Sequence, residues 1–245
     1  MTLSGHRMSV NCLAVSNAGD IVATGSRSGT LNLWNTSLGI QTLPPLQGET
    51  WGLASISFSS DSTVLFSGVS HGSVQILDTK TPDRLCPLLN GHTDAVNAVA
   101  FSYSQGMVIS ASVDSTIRLW DSQTGACITE FWGHTASVED VAFSPDDSKI
   151  VSGSFDGTMK IWDVSTGSLL HDCRHRLAVC VVAFSHDGLR VATGSSDTKI
   201  RIWDSQKGEE IQQLCHHRGA VRSLAFAPGD QTIISGSDDT EVRIW

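Results

Sequence analysis

Between residues 95 and 131 short apolar runs alternate with polar turns at the length of β-strands. Residues 95–102 (AVNAVAFS), 107–112 (MVISAS), 116–120 (TIRLW) and 126–131 (ACITEF) predict four consecutive strands. Each is rich in β-branched residues and bounded by Gly, Asp, Ser or Asn, the residues that turn a chain cheaply. Val113-Asp114-Ser115 reads as a tight hairpin turn, matched later by Phe155-Asp156-Gly157. In the first run Val99, Ala100 and Phe101 are all apolar, as expected of a strand covered on both faces. A helical reading fails because Gly or Pro interrupts nearly every window long enough for a helix.

The pattern repeats. A His (once Glu) stands at positions 6, 49, 92, 134, 175 and 217, and a Trp (once Leu) follows it by 28 residues each time. Ser or Thr comes at 18 residues and usually Asp at 22. Successive Trp-type positions lie 43, 43, 42, 41 and 42 residues apart. A period near 40–45 residues marks the blade of a β-propeller. The expectation is an all-β propeller of six repeats with four-stranded antiparallel blades, the sixth incomplete. The units start near residues 5, 48, 91, 133, 174 and 216 of a single domain spanning 1–245.

Four repeats carry a full set of polar residues: His92, Ser110, Asp114, Trp120; His134, Ser152, Asp156, Trp162; His175, Thr193, Asp197, Trp203; and His217, Ser235, Asp239, Trp245. Ser, His and Asp together invite a catalytic-triad reading, but a nucleophile normally occurs once. Fourfold recurrence favours a structural chain of hydrogen bonds, from indole N–H to hydroxyl, to His, to Asp.

At these residues the chain resembles the WD-repeat (WD40) family over its whole length. Gly5-His6, Gly91-His92 and Gly133-His134 match the family's opening dipeptide, and Trp120-Asp121, Trp162-Asp163 and Trp203-Asp204 its closing one. There is a weaker likeness to the regular WD-repeat arrays of fungal nucleotide-binding signalling proteins. The resemblance implies a non-catalytic scaffold or recognition module whose partner, a protein or peptide, sits on the narrower face. Carried over position by position, its contact residues include Asn11, Arg27, Asn97, Val113, Glu139, Phe155, Arg222 and Asp238. Trp51 is one residue from that face and is added as an aromatic anchor. Two repeats depart from the pattern. The first has His6, Thr24 and Trp34 but Ser28 in place of Asp. The second has Glu49, Ser67, His71 and Leu77, keeping only the hydroxyl.

A net charge of −9 argues against general nucleic-acid or anionic-membrane binding. No apolar run reaches membrane-spanning length, and the N-terminus lacks a signal-peptide pattern. The six cysteines show no CxxC spacing, so a reduced, intracellular and cytoplasmic protein is expected. Asn35-Thr36-Ser37 is a glycosylation sequon of no consequence there.

Gly68-Val69-Ser70-His71-Gly72 fits the GxSxG elbow, but it lies at a strand–strand turn where the elbow needs a strand-to-helix turn. The clusters His171-Asp172-Cys173-Arg174-His175 and Cys215-His216-His217 suggest metal ligation, yet His175 and His217 are already claimed by the polar sets. No cofactor, metal or catalytic residue is therefore expected.

An enzyme or small-ligand site at the channel mouth is the competing reading, and it would need convergent acids or histidines there. A substrate-recognition subunit of a larger complex is another. The Trp-Asp-x-Arg signature of ubiquitin-ligase adaptors is absent, with Gln123, Ser165 and Gln206 at its last place. The expected assembly is a monomer or part of a larger complex. Leu3 stands where Leu46, Leu89 and Leu214 end outer strands. The sequence thus reads as a segment of a longer repeat protein, or as six blades closed by residues 1–3.

Overall fold

The computed structural model describes residues 2–47, 52–59, 61–68, 72–81, 83–104 and 106–245. Glu49, Trp51, Ser70 and His71 lie outside the described residues, and so does most of the GxSxG segment. The chain forms two compact units, residues 1–130 and 131–245.

The first unit holds three antiparallel sheets. One is built from β1 (Val10–Val15), β2 (Ile21–Ser26), β3 (Thr30–Asn35) and β4 (Leu46–Gln47). The next has three strands among the described residues: β5 (Leu53–Phe58), β6 (Val64–Gly68) and β7 (Val74–Leu77). The third comprises β8 (Val96–Phe101), β9 (Met107–Ser112), β10 (Ile117–Asp121) and β11 (Cys127–Phe131). These last four fall within one residue of the runs read from the sequence.

The second unit repeats the plan. Its sheets are β12 (Val138–Phe143), β13 (Lys149–Ser154), β14 (Thr158–Asp163) and β15 (Leu169–Arg174), then β16 (Val179–Phe184), β17 (Arg190–Ser195), β18 (Ile200–Asp204) and β19 (Glu210–Leu214). The last sheet has three strands, β20 (Val221–Phe226), β21 (Ile233–Ser237) and β22 (Val242–Ile244). Because neighbours run antiparallel, first-to-second and third-to-fourth turns share one end of a sheet. The second-to-third hairpin and the loop to the next sheet share the other.

Sheets pack face to face inside each unit through the apolar residues that spoil simple alternation. Val151, Ile161, Val179 and Val182 form one buried cluster, and Ala192, Ile202 and Val221 another. Close approach depends on small residues in the second strand. A Cβ added at Gly153 would come within 2.7 Å of Val179, and one at Gly194 within 2.7 Å of Val221. Every first strand carries a register shift, as between Val138 and Asp140. Polar side chains next to it bond across to the following sheet. Asp140 Oδ2 accepts the Val182 N–H at 2.9 Å, and Ser55 Oγ accepts the Val99 N–H at 3.2 Å.

The sheet of β5–β7 departs from its sisters in phase. In four other sheets and in the last one, the first turn closes with a bond spanning five residues, such as Ser144 N–H to Lys149 O. Here it spans four, Ser59 N–H to Thr63 O. Val141 pairs with Ser152 on β12–β13, but the matching Ile56 pairs with Phe66 rather than Ser67. The following hairpin is one residue longer, so the overall spacing to Leu77 is unchanged. The expectation that Ser67 preserves the hydroxyl of its set is therefore corrected. Phe66 stands at that register position, because residue count survived while register did not.

Candidate functional site

In three sheets the polar set closes as one chain of hydrogen bonds. Trp120 Nε1–H donates to Ser110 Oγ at 2.8 Å, His92 Nε2 lies 2.8 Å from the same oxygen, and His92 Nδ1 is 2.9 Å from Asp114 Oδ2. Trp162, Ser152, His134 and Asp156 follow at 2.9, 2.8 and 2.9 Å. Trp245, Ser235, His217 and Asp239 follow at 2.9, 2.8 and 2.8 Å. An ionised carboxylate can only accept, so Nδ1 carries the proton, Nε2 is the acceptor, and the hydroxyl donates to it. Burial alone would push the Asp156 carboxyl up. Bonds from Thr158, from the Thr135 N–H and from His134 outweigh it and bring it down to about 2. A hydroxyl already donating to His and accepting from an indole is held on both sides, which is unlike a poised nucleophile.

The fourth set is only partly assembled. Trp203 Nε1–H reaches Thr193 Oγ1 at 3.0 Å and His175 Nε2 lies 2.8 Å from it, but Asp197 turns away. Its Oδ2 takes Arg201 Nη2–H at 2.8 Å, and the buried His175 Nδ1 has no partner. The grouping of His175 with Asp197 is thus corrected, for a reason that lies on the fourth strand. Arg118 pairs with Glu130 at 2.6 Å, and Lys160 with Asp172 at 2.6 Å. Directly opposite Arg201 stands the neutral Gln213, and the guanidinium pairs with Asp197, 2.8 Å from Nη2, as well as with Glu210 on the fourth strand, 3.5 Å from Nε. Burial, reinforced by the Arg201 charge, lowers His175 to about 4. In the first sheet Ser28 replaces the Asp, and His6 Nδ1 meets Thr30 Oγ1 at 3.2 Å within a cluster of hydroxyls.

Just before each turn Asp, or its Ser28 replacement, an exposed or half-exposed side chain is held by its own backbone. The N–H of Arg27 donates to Ser9 O at 2.9 Å, that of Val113 to Ala95 O at 2.9 Å, and that of Phe155 to Ser137 O at 2.8 Å. Ser196 and Asp238 are held alike, by Ala178 O and Ala220 O, each at 2.9 Å. Phe155 is 60% exposed. Asn11 is exposed on β1, while Asn97 on β8 and Glu139 on β12 are half-buried. Glu139 accepts the Ser137 hydroxyl at 2.6 Å. Arg222 is committed to Asp238, with Nε and Nη2 at 2.9 and 2.8 Å from one carboxylate oxygen.

In the second unit these loops enclose a groove of about 340 Å³ lined by Phe155, Gly157, Arg176, Leu177, Ala178 and Ser196. Arg176 and Leu177 were not among the residues expected from position. The sequence carries one signal for Leu177, an apolar residue two positions after the His, as at Met8; both are 54% exposed. Among the described residues no three His, Cys, Asp or Glu gather as a metal site. His171 Nε2 is 2.8 Å from Gln206 O, Cys173 bonds Gly208 O, and His216 stacks on Trp245. No helix among the described residues is long and apolar enough to cross a membrane.

The family model of the WD domain, G-beta repeat, matches residues 1–35, 84–121, 125–163, 167–204 and 208–245. None of the curated proteins compared with the chain matches it. The expectation of six WD40 repeats is corrected to five. Residues 36–83 fall outside every match, and the sheet they supply is the one whose turn lengths and register differ. With five matched repeats covering more than half of its length, the chain belongs to the WD40 repeat family, all-β proteins of β-propeller type that generally mediate protein–protein interactions.

Proposed function

We propose that the protein is a non-catalytic recognition module that binds a protein or peptide through the hairpin-and-loop end of its sheets. One observation carries this reading. The residue in front of the turn Asp, or its Ser28 replacement, is Arg27, Val113, Phe155, Ser196 and Asp238 in turn, while the His–hydroxyl–Trp bonds behind it recur. Constant support beneath variable exposed chemistry suits recognition. In this reading the polar sets of His, Ser or Thr, Asp and Trp hold the loops and perform no reaction.

In the second unit the groove beside Phe155 offers two apolar side chains and the exposed Arg176. That combination fits a segment with an apolar anchor next to an acidic group. Arg222 contributes less than its exposure suggests, since its charge is already met by Asp238 and an exposed pair is worth about 0–1 kcal/mol.

The test is capture of binding partners by the immobilised protein and by its Arg27→Ala, Phe155→Ala, Leu177→Ala and Arg222→Ala variants. Denaturation midpoints should stay within about 0.5–1 kcal/mol of the parent, as surface changes do. Capture should fall most for Phe155→Ala and Leu177→Ala. Undiminished capture by all four would move the binding surface elsewhere.

A further inference from the structure

The first unit contains a second cavity, about 450 Å³, at the opposite end of its sheets. It lies between the sheets of β5–β7 and β8–β11, and Thr63, Asp61, Phe101, Ser122 and Gln123 are among its walls. In the second unit two cations reach into the corresponding spaces.

Between the sheets of β12–β15 and β16–β19, Lys149 crosses over and its Nζ donates to Ser205 O at 3.1 Å. Between the sheets of β16–β19 and β20–β22, Arg190 crosses over. Its Nη2 donates to Asp230 O at 2.8 Å, and its guanidinium lies 5.7 Å from the Phe226 ring centroid. Each cation sits where the first turn closes, its carbonyl receiving the N–H of Ser144 or Ser185.

In the first unit the residue closing that turn is Thr63, whose carbonyl receives Ser59 N–H. Thr63 places a two-carbon side chain at the position that Lys149 and Arg190 hold in the second unit, and that Ile21, Met107 and Thr232 hold in the remaining sheets. Two of the receiving groups are retained, a ring and a serine carbonyl. Phe101 pairs with Val108 as Phe226 pairs with Ile233, so the two rings are equivalent. Ser122 N–H bonds Gly106 O as Ser205 N–H bonds Leu189 O, so the two serines are equivalent as well. Both Phe101 and Ser122 line the cavity. The exposed Asp61 carboxylate, which accepts the Ser59 hydroxyl and the Thr63 N–H as Asp146 and Asp187 accept the serines of the sister turns, also lines the cavity and brings negative charge to it.

We propose that this cavity is a cation site that takes an alkylammonium or alkylguanidinium group, supplied by a lysine or arginine of a basic peptide. The group enters where Lys149 and Arg190 lie in the sister spaces, over the Phe101 ring and towards the Ser122 carbonyl. The proposal is independent of the recognition surface at the other end of the sheets, because it uses none of the same residues.

The experiment titrates residues 1–245 with acetyl-Ala-Arg-Ala-amide, with n-butylguanidinium, and with the peptide carrying citrulline in place of arginine. Amide shifts of Thr63 and Ser122 are followed by NMR. The arginine peptide should shift both amides saturably, and the neutral citrulline peptide should not. Equal affinity for butylguanidinium would assign the site to free small cations, and tighter peptide binding to a protein partner; both support a cation site. Thr63→Lys supplies the missing cation internally and should abolish the shifts while raising the melting temperature. Asp61→Asn, whose side-chain oxygen can still accept the Thr63 N–H, should weaken binding about tenfold with an unchanged melting temperature. No saturable shift at these amides, equal binding of the citrulline peptide, or undiminished binding by a folded Thr63→Lys protein would each overturn the proposal.

Discussion

Trp162→Ala is expected to lower stability by about 3–5 kcal/mol, the cost typical of emptying a large aromatic site in a core. The indole is 2% exposed. Phe131 and His134 meet it edge-on, at 5.6 and 6.1 Å between ring centroids, and its N–H is donated to Ser152. Truncation leaves a cavity and removes one donor from a buried hydroxyl that also supports His134. Trp162→Phe keeps most of the volume and loses the donor alone, so about 1–2 kcal/mol is expected. Trp132 serves as the control, since it is 70% exposed and its replacement by alanine should cost under about 0.5 kcal/mol. Urea midpoints at constant slope measure all three. Equal midpoints for Trp162→Ala and Trp132→Ala would remove the structural role given to the polar sets.

Acid should destabilise the protein through His175, a loss offset in part by Asp140, whose carboxyl is pushed up to about 7 by burial. The ring titrates near 4 in the folded chain against an ordinary 6.5, lowered by burial and then by the Arg201 charge. Above pH 6.5 both folded and unfolded forms are neutral there, and nothing is lost. As pH falls from 6.5 to 4 the unfolded chain takes up a proton that the folded one refuses, and stability drops by about 2–3 kcal/mol. Gln213→Glu should reduce the loss. It places an acid directly opposite Arg201, in addition to the Glu210 carboxylate 3.5 Å from Arg201 Nε, frees Asp197 for His175 Nδ1, and so stabilises the charged ring. NMR titration of His175 and melting temperatures at pH 7 and 4.5 test this. An unchanged acid slope in Gln213→Glu would show that Arg201 does not govern His175.

The strands of the third repeat were legible to within a residue, because β-branched runs between turn residues leave little choice. The sets at His92, His134 and His217 could be read from spacing alone, since their members lie on strands in constant register. Two features could not. Asp197 has the right residue at the right distance, but it pairs with Arg201, whose neighbours on β19 are the neutral Gln213 and the acidic Glu210, and local spacing reports neither. Ser67 has the right count from Glu49, yet a turn shortened by one residue before it and a hairpin lengthened by one after it hide the slip. The count of repeats failed at the same place, where five WD40 matches stand against six periods. Leu177 and Arg176 were missed because the positions carried over skip the two residues following the His.

The backbone anchoring of the residue before each hairpin Asp has a consequence for how such a protein changes over generations. At Arg27, Val113, Phe155, Ser196 and Asp238 the scaffold asks only for an amide N–H, which every residue except proline supplies. One plus charge, one aliphatic group, one ring, one hydroxyl and one minus charge occupy the same socket with the same bond of 2.8–2.9 Å. Innovation at these sockets is uncoupled from the hydrogen-bonded chains behind them. A lineage can exchange one side chain for another there, one mutation at a time, without first securing extra stability.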